Sequence, residues 1–325
     1  MTDTLTVERA GAKGRPPTRT AARGRRRTAR PSWEEPPTAV GRTAKGLTLG
    51  TVLAVVLVPL WIIVVTSLST QAAVNRAGGL VIWPDGLTTE AYRVMLGDAT
   101  VRNALFVSLG ITVVGTAVSM VVSILCAYGL SRSRSVAHRF LLVLLIVTMF
   151  VNGGLIPTFL VVTELGGYGQ WWALILPGAV SVFNILVLRA FYSETSVDLI
   201  EAARIDGAGE WRTLWSIVLP TSRAVTAVIA LFYGVGYWNS FFNVMLYMPT
   251  DSEKWPLQYV LLTYVNRGNG LPGSVNAGFG TQFSQTAPLS LQMAVVVLTL
   301  VPVLIVYPFM QKHFRVGVLT GAVKG

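Results

Sequence analysis

One central segment of this chain, residues 194–212, is rich in ionisable side chains and reads ETSVDLIEAARIDGAGEWR. It carries seven charges, whereas residues 165–188 and 224–250 carry none. A catalytic or metal site is not indicated, because the two histidines and the single cysteine are isolated from one another and no activated serine motif accompanies them. The chemistry that remains for these charges is the docking of another surface.

The same segment has the local signals of two short helices joined by a hinge. Thr195 or Ser196 can cap the first helix. Gly207 and Gly209 permit a sharp change of direction, because glycine tolerates a positive φ at little steric cost. Apolar residues then recur at helical spacing until Pro220 loosens the junction with the next apolar run. The segment therefore predicts a docking element of two amphipathic helices that lies across one face of a membrane.

The composition around this element is that of an integral membrane protein. Of the 325 residues, 52% are hydrophobic and 13% are charged, against about 25% charged residues in soluble domains. Six charge-free gaps each contain about 20 apolar residues, the length that a helix needs to cross the hydrocarbon core. The predicted spans are about 46–68, 103–130, 140–163, 171–190, 224–248 and 289–310, with a break at NGGLIP (152–157) in the third. The expected fold class is an all-α polytopic membrane protein with six transmembrane helices.

The distribution of basic residues predicts the orientation of these spans. Residues 1–45 hold eleven basic and four acidic residues, a net charge of +7, and the connection between spans two and three holds three arginines without an acid. The positive-inside rule then makes both termini and the central segment cytoplasmic. Residues 1–45 are expected to be a disordered basic cytoplasmic tail, with contact to anionic membrane lipid as the sharper interpretation. Since most of the chain's net charge of +11 follows from topology, no nucleic-acid partner is expected.

Residues 201–220 resemble the signature loop of permease subunits of binding-protein-dependent ABC importers. That loop reads E-A-A, three residues, G, nine residues, I, one residue, L-P. This chain matches all of the fixed positions, which are Glu201, Ala202, Ala203, Gly207, Ile217, Leu219 and Pro220. With average residue frequencies, a chance match is roughly 10⁻⁸ per starting position. Residues 152–192, residues 230–248 and the ending YPFMQKHFRVGVLTGAVKG resemble maltose-type carbohydrate permeases, in particular the second permease of the pair in an oligosaccharide-uptake subgroup.

The resemblance implies a type I ABC importer transmembrane domain over residues 46–325, with a cytoplasmic coupling loop at about 193–220. In that family the first loop helix, here about Val197–Asp206, sits in a cleft of a separate ATPase and transmits closure of the ATPase dimer. The implied partners are a second homologous permease, a cytoplasmic ABC ATPase dimer, an extracellular solute-binding lipoprotein and the sugar. Because the chain has no G-x-x-x-x-G-K-[ST] string, ATP-Mg is expected on the ATPase. The chain itself is expected to be a cofactor-free, non-enzymatic transport subunit of the bacterial cell membrane.

Several residues in the predicted spans offer the aromatic faces and amides that bind sugars. On the fifth span, Tyr233, Tyr237 and Phe241 share one i, i+4 stripe, while Asn239 and Asn243 share the neighbouring one. The candidates for the substrate pathway are Asn152, Asn184, Tyr233, Tyr237, Trp238, Asn239 and Asn243. Polar groups within a span face the bundle or a cavity, so two interpretations stay open: lining of a sugar pathway, or packing between helices.

Two other functions also remain. The signature loop serves importers of amino acids and peptides, so a permease for a non-sugar solute is one alternative. A secondary transporter is the other, although it predicts ionisable residues deep in the spans and an internal repeat, and neither is visible.

Overall fold

A computed structural model describes residues 38–132, 137–151, 153–194, 197–267 and 288–321. In chain order, the helices are α1 (Ala39–Ser67), α2 (Gln71–Ala77), α3 (Glu90–Gly97), α4 (Ala99–Ser131), α5 (His138–Phe150), α6 (Leu155–Glu164), α7 (Trp172–Ile175), α8 (Val182–Glu194), α9 (Val197–Ile205), α10 (Glu210–Thr213), α11 (Leu219–Thr221), α12 (Arg223–Trp238), α13 (Phe242–Tyr247), α14 (Leu257–Arg267) and α15 (Pro288–Gly321). A π-helical turn, Leu214–Val218, joins α10 to α11. Strand pairing among the described residues is limited to one isolated bridge between Ser69 and Leu87.

Within the described residues, three helices are long and apolar enough to cross a membrane unbroken, namely α1, α4 and the Leu289–Pro308 part of α15. Three further pairs meet the same criterion only together, because each is bent at a short break. The bends are 113° between α5 and α6, 51° between Trp172–Gly178 and α8, and 85° between Glu210–Thr221 and α12. By length and composition, counting each pair as one span gives up to six candidate spans among the described residues, the number that the sequence predicted.

The breaks have local causes. Gly154 precedes α6 with a φ of +83°, a conformation that glycine adopts without the steric cost of a side chain. This agrees with the break predicted at residues 152–157, although Asn152 itself lies outside the described residues. Between α7 and α8, Pro177 and Gly178 fall in a short 3₁₀ turn, where the missing N–H of proline interrupts the α-helical ladder.

The fifth span differs from its prediction. A continuous helix over 224–248 was expected, but α12 ends at Trp238 and α13 begins only at Phe242. The side-chain amide of Asn239 donates to the carbonyl of Val235 at 3.0 Å, so a local side-chain bond competes with continuation of the helix. The predicted i, i+4 stripes therefore do not continue past the break.

The core forms where α4 packs against α8 and α12, and α12 against α15. Ile185 and Leu188 of α8 and Ile229 of α12 are completely buried there. Helix α14 follows the fifth span, and its buried residues Leu257 and Val260 pack it against the same core. The core thus places α4 and α12 side by side along their length.

The amino-terminal boundary also differs from its prediction. Helix α1 begins at Ala39 rather than near Gly46, so part of the predicted tail is helical, while residues 1–37 lie outside the described residues. Residues 1–55 form one of two compact units of the chain. The described part of this unit, residues 38–55, is almost entirely the first part of α1, and all of its side chains are exposed.

Candidate functional site

The predicted hinge of the central segment is present at Gly207. Its φ is +78°. The N–H of Ala208 donates to the carbonyl of Ala203 at 2.9 Å, and the N–H of Gly207 donates to the carbonyl of Arg204 at 3.1 Å. This pair of hydrogen bonds is a Schellman motif, which ends a helix at a left-handed glycine. Gly209 instead has an extended φ of −70° and precedes α10. Only the first of the two predicted hinge glycines therefore uses a positive φ.

The first half of the signature pattern presents an unpaired surface. Glu201, Ala202 and Asp206 are exposed on or just after α9, and Ala203 is half-buried. Ile205 is 87% exposed. Ile200, by contrast, is buried and attaches the helix to the rest of the chain. These exposed residues are the ones for which the sequence predicts contact with another surface.

The second half of the pattern packs inward. Ile217 and Leu219 are half-buried and contact the core, and Val218 between them is completely buried. Pro220 is exposed and lies in the short helix α11, just before α12 begins. The signature thus joins an exposed helix to a segment that packs against the core.

A carboxylate at the start of α10 connects the docking helix to α4. Oε2 of Glu210 accepts a hydrogen bond of 2.5 Å from the hydroxyl of Tyr128 and lies 3.4 Å from Nη2 of Arg132. Its Oε1 lies 3.0 Å from Nη2 of Arg204 on α9. One side chain therefore ties together α4, α9 and α10.

Arg132 is the better-shielded partner of this cluster. Its side chain is 18% exposed, against 58% for Glu210. It also donates to the Tyr128 hydroxyl at 2.7 Å, and its guanidinium lies 4.8 Å from the centre of the Tyr128 ring, within range of a cation–π interaction. The sequence shows Arg132 only as one of the basic residues that set orientation, so nothing in it predicts this cluster.

Tyr233 and Tyr237 cross-link the spans through their hydroxyls. Tyr233 bonds Ser123 of α4 at 2.7 Å and accepts from the N–H of Ser181 at 3.2 Å. Tyr237 bonds Ser119 of α4 at 2.8 Å and donates to the carbonyl of Ile175 at 2.9 Å. Both side chains are buried. These hydroxyls therefore make the interhelical bonds that the packing interpretation expects.

The same two tyrosines also line a cavity. Its volume is about 250 Å³, and its lining consists of Leu174, Gly178, Ser181, Phe232, Tyr233, Gly236, Tyr237, Ser240 and Asn243. Ser181, Ser240 and Asn243 line it together with aromatic residues, and hydroxyl, amide and aromatic groups are the types that bind sugars. The two interpretations of the tyrosines are thus compatible, because residues whose hydroxyls join the helices also line the cavity.

The other predicted pathway residues lie elsewhere. Trp238 is buried and its Nε1 donates to the carbonyl of Thr299 at 3.0 Å, which joins α12 to α15. Asn239 is exposed, with Gln258 at 3.4 Å from its Oδ1. Asn184 is buried on α8 and is not among the lining residues. Of the predicted set, the structure brings together Tyr233, Tyr237 and Asn243.

Similarity to known proteins extends over most of the chain. Residues 119–319 match the family described as binding-protein-dependent transport system inner membrane component. The polygalacturonan/rhamnogalacturonan transport system permease protein YtcP of Bacillus subtilis is 43% identical over 246 residues, which cover 75% of this chain and 85% of that protein. Protein LplC of the same organism is 40% identical over 281 residues, covering 86% and 93%.

A solved structure has the same fold. It is a bacterial ABC transporter involved in the import of the acidic polysaccharide alginate, one chain of which matches with a TM-score of 0.78 and 28% identity, over 86% of this chain and 100% of that one. The family match covers more than half of the sequence and includes the central loop with its Gly207 hinge. The chain therefore belongs to the binding-protein-dependent transport system inner membrane components, the multi-pass permeases of ABC importers.

Proposed function

We propose that this chain is the permease subunit of an ATP-driven importer of oligosaccharides and forms half of the translocation pathway. The observation that carries the proposal is likeness to two importers of sugar polymers. The relative YtcP is named for polygalacturonan and rhamnogalacturonan transport, and the matching solved structure for import of alginate. The cavity beside α12, with aromatic rings and small polar groups in its lining, suits a ligand rich in hydroxyls.

The partners of this importer would be a second homologous permease, a cytoplasmic ABC ATPase dimer and an extracellular solute-binding lipoprotein. Helix α9 would be the surface that enters a cleft of the ATPase. Support comes from its exposed signature residues Glu201 and Ala202 and from Ile205, which is almost fully exposed in the chain alone. ATP-Mg would be bound and hydrolysed by the ATPase, and this chain would hold no cofactor.

Movement of α9 would reach the spans through the Glu210 cluster. Arg204 of α9 and Arg132 at the end of α4 pair with the same carboxylate. A displacement of α9 that keeps these contacts therefore pulls on the end of α4. Because α4 carries the partners of both tyrosine hydroxyls, that pull is directed at the wall of the cavity. Each pair is partly exposed, so each contributes only about 0.2–1 kcal/mol, and the cluster acts as a guide rather than a main source of stability.

Within the pathway we assign Tyr233, Tyr237 and Asn243 to the wall that faces the sugar. Asn152 and Asn184 remain candidates on the third and fourth spans, where a change of state can bring them to the pathway. Trp238 and Asn239 would instead hold the outer end of α12, through the bonds to Thr299 and Val235.

The test is uptake by the reconstituted importer. The chain, its sibling permease, the ATPase and the binding lipoprotein are placed in proteoliposomes and offered labelled oligogalacturonides, neutral maltooligosaccharides or a peptide. ATP-dependent uptake of either sugar is expected, and the two sugars distinguish acidic from neutral specificity. Uptake of the peptide alone would overturn the sugar assignment, and uptake driven by an ion gradient without ATP would indicate a secondary transporter.

A further inference from the structure

The helical segment Glu210–Thr221 exposes two large aromatic side chains. Trp211 and Trp215 are 66% and 64% exposed. They lie four residues apart, so their side chains occupy neighbouring turns of one face. On another face of the segment, Leu214 and Val218 are buried against the core. The buried side chains therefore fix the segment on the core, while the described residues leave most of each indole exposed.

The direction of this segment places the indoles near a membrane surface. Glu210–Thr221 meets α12 at 85° and is separated from it by a short break. A spanning helix is tilted by about 20° from the membrane normal on average, so a segment almost perpendicular to α12 runs close to the membrane plane. It directly precedes α12 in the chain.

The exposed surface of the segment has two chemically different flanks. Trp211 and Trp215 form the aromatic flank, while Arg212 and Ser216, each the next residue along, are exposed on the adjacent flank. A helix in the membrane plane with one aromatic and one polar flank has the pattern of an interfacial amphipathic helix. The aromatic flank then faces the bilayer and the polar flank faces water.

We propose that Trp211 and Trp215 insert into the lipid headgroup region of the cytoplasmic leaflet and hold the coupling loop at a set depth. This inference rests on the proposed function for the side of the membrane on which the loop lies. Indole rings favour the membrane–water interface because they are apolar with one polar N–H. Exposed Arg212 and Arg223 add positive charge beside them, which suits anionic headgroups. Because Glu210 begins the same segment, the depth of the indoles also sets the position of the Glu210 cluster and of α9.

The competing occupant of the aromatic flank is the ATPase, and spin labels distinguish the two. Cys126 is the single cysteine of the chain, so a Cys126→Ala background allows one nitroxide at a time to be attached. Labels are placed through Trp211→Cys and Trp215→Cys, with Arg212→Cys and Ser216→Cys as matched controls on the polar flank. The assembled importer is studied in nanodiscs of phosphatidylcholine and phosphatidylglycerol, with and without the ATPase, and collisions of each label with oxygen and with a water-soluble nickel chelate are measured.

The expected result is a several-fold higher ratio of oxygen to nickel collisions at 211 and 215 than at 212 and 216, unchanged when the ATPase is removed. Equal ratios at all four positions, or shielding at 211 and 215 that appears only with the ATPase, would overturn the proposal.

A second measurement leaves the pair of tryptophans intact. The fluorescence of Trp211 and Trp215 is obtained as the difference in emission between the unmodified chain and the Trp211→Phe/Trp215→Phe variant. Brominated lipid should quench this fluorescence, and an unquenched difference counts against insertion. These readouts do not depend on transport. Water-exposed labels in an importer that takes up sugar would refute membrane insertion of the tryptophans but not the proposed function. Lipid-exposed labels in an importer that does not take up sugar would refute only the proposed substrate class.

Discussion

Gly115 of α4 is the position where one added methyl group tests the packing beside the cavity. A Cβ there would lie 2.9 Å from three atoms of the Tyr237 ring, closer than carbon atoms approach without repulsion. The ring has little freedom to retreat, because it is buried and its hydroxyl is bonded to Ser119 and to the carbonyl of Ile175. Gly115→Ala is therefore expected to displace Tyr237 and to distort the cavity wall.

The size of the effect follows from three contributions. Overpacking of a well-filled site costs about 1–3 kcal/mol, and loss of two hydrogen bonds within the membrane adds about 1 kcal/mol. Alanine is favoured over glycine in a helix by about 0.8–1.0 kcal/mol, which offsets the second contribution. The net loss of stability should be about 1–3 kcal/mol. Gly110→Ala on the same helix is the control, since nothing lies within 4 Å of its Cβ, and it should be neutral or slightly stabilising.

The assay is unfolding of the purified chain in mixed detergent micelles, with the midpoint of an SDS titration as the readout. Gly115→Ala should lower the midpoint and Gly110→Ala should not. In a Tyr237→Leu background the cost of Gly115→Ala should shrink, because the ring that it strikes is gone. Equal midpoints for the two alanine variants, or an undiminished cost in the leucine background, would show that Tyr237 does not limit the space at Gly115.

Three further predictions concern the loop and the cavity. Gly207→Ala forces an L side chain to a φ of +78°, which costs about 1–2 kcal/mol, and should lower sugar-stimulated ATPase activity and sugar uptake. Gly209→Ala, at a φ of −70°, should leave both activities unchanged. Equal behaviour of the two variants would refute the hinge. Glu210→Gln removes the carboxylate charge that two arginines share and should reduce sugar uptake per ATP hydrolysed while subunits still co-purify; an unchanged ratio would exclude the cluster from coupling. Asn243→Ala should raise the KM for sugar uptake several-fold because Asn243 lines the cavity, while Asn239→Ala, outside the cavity lining, should not; the reverse order would move the pathway away from this cavity.

The membrane class and the hinged pair of helices in the central segment could be predicted from the sequence because both depend on local properties. Hydropathy over about 20 residues reports whether a helix can cross a bilayer, whatever it packs against. The hinge is local in the same sense: a glycine allows the positive φ that Gly207 adopts, and the fixed spacing around it identifies the family. Local signals did not separate Gly207 from Gly209, because which of two neighbouring glycines ends a helix depends on how the next segment is held.

The features on which the proposed mechanism depends arise only in the tertiary structure. Tyr128 and Glu210 are 82 residues apart in the sequence and meet because α4 and α10 are brought to the same end of the core. Tyr237 becomes a cavity wall because Gly115 leaves room for its ring, and neither residue identifies the other in a single sequence. A long-range contact of this kind depends on how helices are oriented and spaced against one another, which the periodicity of one segment does not encode. The sequence by itself therefore determined the kind of protein and the glycine hinge of its central loop. The packing of α4 against α12 decided where the cavity lies, and the meeting of α4 with α10 decided where the Glu210 cluster forms.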